Sequence, residues 1–415
     1  MNTYSNDRKT VPFLPADILI PKNGFEKWAI VACDQFTSEP QYWRDVAALV
    51  GDAPSALKIT LPEIYLNDDD VSDRIAEIND RMHEYLSGDI FREFKNSMIY
   101  VERTLPCGLI RRGIVGALDL EYYDYTPGSN AAIRATEGTV IERIPPRVKI
   151  RRGAPLEIPH AMVLYDDPQN TVIGPLEGGN DRDGSDSDIY AFSLMMGGGF
   201  VRGRRLTDGE VAGVTEALYG LLEANQSENP MLFAVGDGNH SLAAARQCYL
   251  ANPTELNRYA LVEIVNIHDP ALEFEPIYRV LFNVDPTSVI DALKAEDTAD
   301  GSAHSVSYVC SSGEGEVRIG AGNALAVGAV QDFIDRYIEN HPDALVDYIH
   351  GIEVARYLSR EKESVGFIFE GMRKDELFPA VLKDGALPRK TFSMGEAQSK
   401  RYYLEARKID PAEDY

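Results

Sequence analysis

Apolar positions along the chain follow two periods, and the switches between them mark the elements. Val71, Ile75, Ile78, Met82 and Tyr85 recur at helical spacing, which predicts an amphipathic helix over about 69–87. The run "KWAIVACDQF" reads as a buried strand ending at Asp34. The stretch "SEPQYWRDVAALVG" follows as a helix, with Ser38 and Gln41 spaced as a capping box and Gly51 just past its last turn. "SMIYVERTL" and "LIRRGIVGALDLEYY" read as antiparallel neighbours, and "AMVLYDD" as a further strand. Beyond the acidic loop "LEGGNDRDGSDSD", Asp208 is expected to cap a helix carrying Val211, Val214, Leu218, Leu221 and Leu222. In "MLFAVGDGNHSLAAARQC" the apolar run 231–235 predicts a buried strand, and the alanine-rich segment a helix from about 240. "YALVEIVNI" and "PIYRVLFNV" are strands. The pattern shifts after about 285, with helices at "SVIDALKA" and "VQDFIDRYIENH" and a strand at "SVGFIFEG". The expectation is a mixed α/β chain, with a main α/β domain over 1–285 and a smaller α+β unit over 286–415.

Composition narrows the function classes. A length of 415 residues allows two or three domains, and 44% hydrophobic residues suffice for a core. No apolar run reaches the roughly 18 residues of a membrane helix. The first residues show no basic-then-apolar signal pattern, so the expected location is cytoplasmic, with no membrane partner. A net charge of −25 repels polyanions and disfavours nucleic acid as a partner. Cys33, Cys107, Cys248 and Cys310 form no CxxC pair, which argues against a zinc site or a disulfide framework. There is no Walker A loop, no G-x-S-x-G elbow and no HExxH.

The candidate chemistry centres on Gly236-Asp237-Gly238-Asn239-His240-Ser241, between a buried strand and a helix. A helix N-terminus presents N–H groups and positive potential, and a glycine lets an anion approach the backbone. Asn239 is placed to cap the helix and His240 to project from its first turn. Asp237 is placed to hold a metal or accept a proton. The same residues also make good turn chemistry with no ligand at all.

These segments carry a resemblance. "VGDGNHSLAAAR", "VACDQFTSEPQYW", "GAPLEIPHAMVLYDDP", "MMGGGFVRG" and "LPRKTFSMG" are similar, in order, to segments of a large bacterial domain-of-unknown-function family with a DG-[HN]-H signature. The signature also resembles, more distantly, the phosphate-binding turn of the ParB/sulfiredoxin superfamily, which includes ADP-dependent free serine kinases. The resemblance implies a ParB/sulfiredoxin-like nucleotide-binding core with ATP or ADP, and Mg²⁺, at this turn. Gly236, Gly238, Asn239 and Ser241 would lie around the phosphate, and Asp237 on the metal. Many relatives have arginine where Ser241 stands, so the cation must come from elsewhere.

Arg134 and Arg147, from the basic stretch 134–152, are expected beside the turn, and a family-like "YRV" segment adds Arg279. Glu137 and Asp34 are candidates near an acceptor hydroxyl, with Asp237 and His240 as catalytic partners. Glu157 and His160 form either a base and its partner or a structural turn. Gly197–Gly199 read as a lid hinge, an anion nest or a plain surface loop. The acidic loop does not fit an EF-hand, since its sixth and twelfth positions from Asp181 are Asp186 and Phe192. Two functions stay open. One is a nucleotide-dependent phosphotransferase acting on a small hydroxylated metabolite, with free serine implied by the superfamily. The other is a non-catalytic nucleotide- or metabolite-binding regulator.

Overall fold

A computed structural model describes residues 10–139, 141–178, 188–225 and 229–411. Most of the acidic loop, 179–187, lies outside them. The chain divides into two compact units. The first comprises Met1–Ala135, Thr139–Leu272 and Glu396–Tyr415; the second comprises Thr136–Gly138 and Glu273–Gly395. The sequence pattern put the change at about 285. The division falls near 272 because the strand of "PIYRVLFNV" opens the second unit's sheet, and the last segment returns to the first.

In chain order the first unit's elements are β1 (Phe13–Leu14), α1 (Pro40–Val50), α2 (Val71–Ser87), β2 (Ile99–Thr104), β3 (Ile110–Asp119), β4 (Tyr123–Asp124) and β5 (Ile133–Ala135). They continue with α3 (Ile144–Arg152), β6 (Met162–Tyr165), β7 (Tyr190–Ser193), β8 (Phe200–Arg205), α4 (Asp208–Ala224), β9 (Phe233–Asp237), α5 (Asn239–Ala251) and β10 (Tyr259–Asn266). Among the described residues, nine of these strands run in the order β7-β8-β2-β3-β10-β6-β9-β5-β4, and β1, paired with β3, is the tenth strand of this mixed sheet. The β2–β3 pair is antiparallel, as expected, and β6–β10 and β5–β9 are parallel.

Alternation along the strands feeds a core on each face of this sheet. Tyr100, Ile114, Leu118 and Phe233 enter one cluster. Ile99, Val101, Val115 and Ala117 enter the other, where α2 buries Ile75, Ile78, Met82 and Tyr85. Two caps differ from expectation. Glu39 rather than Ser38 precedes α1, because Pro40 takes the first helical position, and Gln41 bonds Asp45 instead. Thr207 rather than Asp208 caps α4, since the Thr207–Glu210 spacing closes a reciprocal box.

Gly197–Gly199 make a tight connection between β7 and β8. Gly199 has φ +88°, and a Cβ there would meet the Thr104 carbonyl oxygen at 2.0 Å. Gly199 is therefore required by a close backbone approach.

The second unit contains β11 (Phe274–Phe282), α6 (Pro286–Ala295), β12 (His304–Cys310), β13 (Gly313–Ile319), α7 (Ala326–Asn340), β14 (Leu345–His350), α8 (Ile352–Ser359), β15 (Ser364–Phe369) and β16 (Phe392–Met394). Its sheet runs β13-β12-β15-β11-β14, with β16 also on β11. No helix among the described residues is long and apolar enough to cross a membrane.

Candidate functional site

Strand β9 ends at Asp237, and α5 begins two residues later, so the reversal falls on Gly238 alone. Gly238 is left-handed (φ 81°, ψ 22°), and a Cβ there would lie 2.9 Å from the Ala161 Cα. Only glycine fits both the angle and the space. Gly238, not Asn239, therefore occupies the cap position, and no side chain caps the helix. Asn239 is the first helical residue, and its buried Oδ1 has no hydrogen-bond partner. Asp237 Oδ1 accepts from the Gly238 N–H at 3.0 Å. The first-turn N–H groups of α5 have no acceptor within the helix, and the macrodipole adds positive potential there.

Charged groups from distant segments gather at this end. The Ile30–Val31 strand pairs with Tyr402–Tyr403, and Ala32 N donates to the Arg401 carbonyl at 3.0 Å. That pairing sets Cys33 and Asp34 beside Tyr403. The Tyr403 hydroxyl lies 2.9 Å from Cys33 Sγ and 2.7 Å from His160 Nδ1. His160 Nε2 lies 3.7 Å from Asp34 Oδ2, while Gln35 Nε2 donates to Asp34 Oδ1 at 2.9 Å. Burial alone would raise the Asp34 carboxyl. His160, the Gln35 amide, Lys400 and Arg147 outweigh it and hold the group below the usual carboxylate range. Lys400 Nζ also stands 3.5 Å from Asp237 Oδ2.

Arg147, on α3, pairs with Glu63 and donates to the Arg143 carbonyl at 2.7 Å. Burial first, then Arg147 and Arg143, lower the His240 imidazole to about 4, so the ring is neutral near pH 7. Burial also pushes the Cys33 thiol up to about 12, which makes it inert as a thiolate.

The expected residues fall in both units. Asp34, Arg147, Asp237, Gly238, Asn239 and His240 belong to this locale, with Gly236 the next-to-last residue of β9 and Ser241 on the wall of the adjoining cavity. Arg134 is tied to the beginning of β9 rather than its end, donating to the Ala131 and Asn229 carbonyls at 2.8 Å each. Glu137 belongs to the second unit, where it accepts from the Lys390 and Thr391 N–H groups at 3.0 and 3.2 Å. Arg279, also in the second unit, is fully buried. It donates to the Ile277, Lys390 and Arg389 carbonyls and to Gln331, over the Tyr348 ring.

Glu157 and His160 do not work as a pair. Glu157 is locked between Arg407 and Arg151 at 2.6 Å each, whereas His160 turns to Tyr403 and Asp34. Sequence reasoning missed Lys400 and Tyr403. Both come from the returning C-terminal segment, which has no motif around them, and only the strand pairing brings them in. Arg111, buried and sensing Asp237, was equally invisible inside a strand.

No group of three or more His, Cys, Asp or Glu side chains among the described residues could hold a metal ion. A Mg²⁺ ion usually takes one or two carboxylates and completes its shell with phosphate and water.

The first unit is thus a mixed α/β domain with an uncapped helix N-terminus set among cations and an ionised carboxylate. The family model described as "Protein of unknown function (DUF1015)" matches residues 14–407, and the chain belongs to that family. No curated protein matches the chain. Among solved structures it is similar to a free serine kinase mutant in complex with ADP, at 10% identity and TM-score 0.38, over 71% of this chain and 90% of that one. It is also similar to SbnI with a C-terminal truncation from Staphylococcus aureus, at 9% identity and TM-score 0.36, over 70% and 85% of the two chains. A third is a conserved hypothetical protein from Pyrococcus furiosus, at 15% identity and TM-score 0.28, over 46% and 82%.

Proposed function

We propose that the first unit binds the phosphates of ATP or ADP at the N-terminus of α5 and transfers the terminal phosphoryl group to the hydroxyl of a small molecule. The observation that carries this reading is the uncapped turn at Gly238, with Arg147 and Lys400 supplying cations and Asp34 held ionised by His160. The likeness of DGNHS to a phosphate-binding turn points the same way.

Phosphoryl transfer requires positioning and charge neutralisation more than covalent chemistry from the protein. In this reading, first-turn N–H groups of α5 and the Arg147 guanidinium hold the phosphates, and neutral His240 adds a donor without adding charge. The acceptor oxygen attacks the terminal phosphorus, and the bond from phosphorus to the bridging oxygen breaks. The nucleotide leaves one phosphate shorter, and the hydroxyl proton passes to Asp34. His160 orients that carboxylate, and Tyr403 fixes the far side of the His160 ring. Mg²⁺ accompanying the nucleotide would neutralise phosphate charge, with Asp237 as its protein ligand.

The test is binding and turnover together. ADP and ATP are titrated calorimetrically, and phosphoryl transfer to a pool of hydroxylated metabolites that includes serine is followed by phosphorus NMR. The expected result is nucleotide binding with a phosphorylated product. Binding with no product from any acceptor would favour the non-catalytic regulator, and no binding of either nucleotide would overturn the reading.

A further inference from the structure

A cavity of about 150 Å³ opens beside this site within the first unit, and its two ends differ in chemistry. Cys33, His160 and Tyr403, bonded to one another, mark the polar end, with Arg147 and Ser241 on the same wall system. The rest is mainly hydrocarbon, formed chiefly by Leu61, Met82, Ile150, Leu156, Ala244 and Leu261, with the ion-paired Glu63, Arg151 and Glu157 also on its walls.

The few polar side chains in that remainder are already engaged. Thr60 Oγ1 donates to the Ala56 carbonyl at 2.8 Å. The Glu157 oxygens are held by Arg407, Arg151 and the Leu261 N–H at 2.6, 2.6 and 2.9 Å. A nucleobase lodged there would leave its hydrogen-bonding edge unpaired, as would the ammonium and carboxylate of serine, and an unpaired buried polar group is costly. A cavity of this volume takes a guest of about benzene size. The alanines of α5 keep the space open, because any larger residue on that face would fill it.

We propose that this cavity receives the hydrocarbon body of the phosphoryl acceptor. The substrate is then an alcohol carrying an apolar group of about benzene size, with its hydroxyl directed to the Asp34–His160 end. This inference rests on the phosphotransfer reading above for the role of the guest, and on the cavity walls alone for its chemical class.

Benzyl alcohol is the probe, serine the control, and ADP the independent readout. The three are titrated separately into the parent protein, Ala244→Phe, and Leu66→Trp at a half-buried wall position, with circular dichroism confirming the fold of each variant. The expected result is saturable benzyl alcohol binding to the parent and at least tenfold weaker binding to a folded filled variant. ADP affinity should be unchanged within about twofold, and serine should not compete. Benzyl alcohol binding the parent and both variants equally, or not binding the parent while ADP does, would overturn the inference and leave the nucleotide reading intact. ADP failing to bind while benzyl alcohol binds would instead overturn the acceptor role together with the phosphotransfer reading.

Discussion

Two helices of the first unit, α4 and α5, each follow a strand of the same sheet, yet they begin in opposite ways. At α4 the Thr207 hydroxyl accepts from the Glu210 N–H at 3.3 Å, and a Glu210 oxygen accepts from the Thr207 N–H at 2.9 Å. Glu210 also pairs with the buried Arg204 at 2.9 Å. The positive end of that helix is closed by its own side chains. At α5 the cap is Gly238, no side chain closes the end, and the neighbouring cations Arg147 and Lys400 come from segments far away in sequence. A Thr/Glu start builds a helix, whereas a glycine start that forgoes this stabilisation leaves room for a ligand. The unfavourable features at α5 mark it further: a left-handed turn, an unpartnered Asn239 oxygen and a half-buried neutral histidine.

The contrast predicts four separable responses. The largest is kinetic. Asp34→Asn should slow phosphoryl transfer by about 10²–10⁴, the contribution typical of a positioned general base. ADP affinity and melting temperature should change little, which calorimetry and thermal unfolding check. Next is Gly238→Ala, which forces a side chain into the left-handed region and against Ala161. It should cost about 2–3 kcal/mol of stability in urea unfolding and weaken ADP binding with it. Thr207→Ala at α4 should cost about 1 kcal/mol of stability with no effect on ADP. If ADP affinity fell there too, the two ends would not be functionally distinct.

The smallest effect is a pH slope. His240 is held neutral in the fold, with its pKa lowered to about 4, while an unfolded histidine titrates near 6.5. Between those values the unfolded chain binds more protons, so stability is fully present above about pH 6.5 and is lost as pH falls toward 4. His240→Gln should flatten that part of the profile, measured by urea unfolding at pH 4.5 and 7.

Much of the architecture is legible in the sequence because its signals are local. Helical spacing over 71–85 reports the buried face of α2, and alternation over 99–119 reports an antiparallel pair. The Gly238 turn is legible for the same reason, since a glycine between a strand and a helix has a local steric meaning. Arginines are not legible in this way. Arg134, Arg147 and Arg279 look alike as residues in basic or strand contexts. Which carbonyl or carboxylate each guanidinium meets depends on pairings between segments tens to hundreds of residues apart. Lys400 and Tyr403 are the extreme case, brought to Asp237 and Asp34 by a two-residue strand at Ile30–Val31.

The most direct measurement is an amide-resolved NMR titration of the parent protein with ADP, comparing the first turns of α5 and α4. Saturable shifts should be confined to the amides of Asn239, His240 and Ser241, with those of Asp208, Gly209 and Glu210 unmoved. His240→Ala and Arg147→Ala should weaken the midpoint at least tenfold. Shifts at neither helix, equal shifts at both, or a midpoint unchanged in both variants would contradict the assignment of the uncapped turn as the phosphate site.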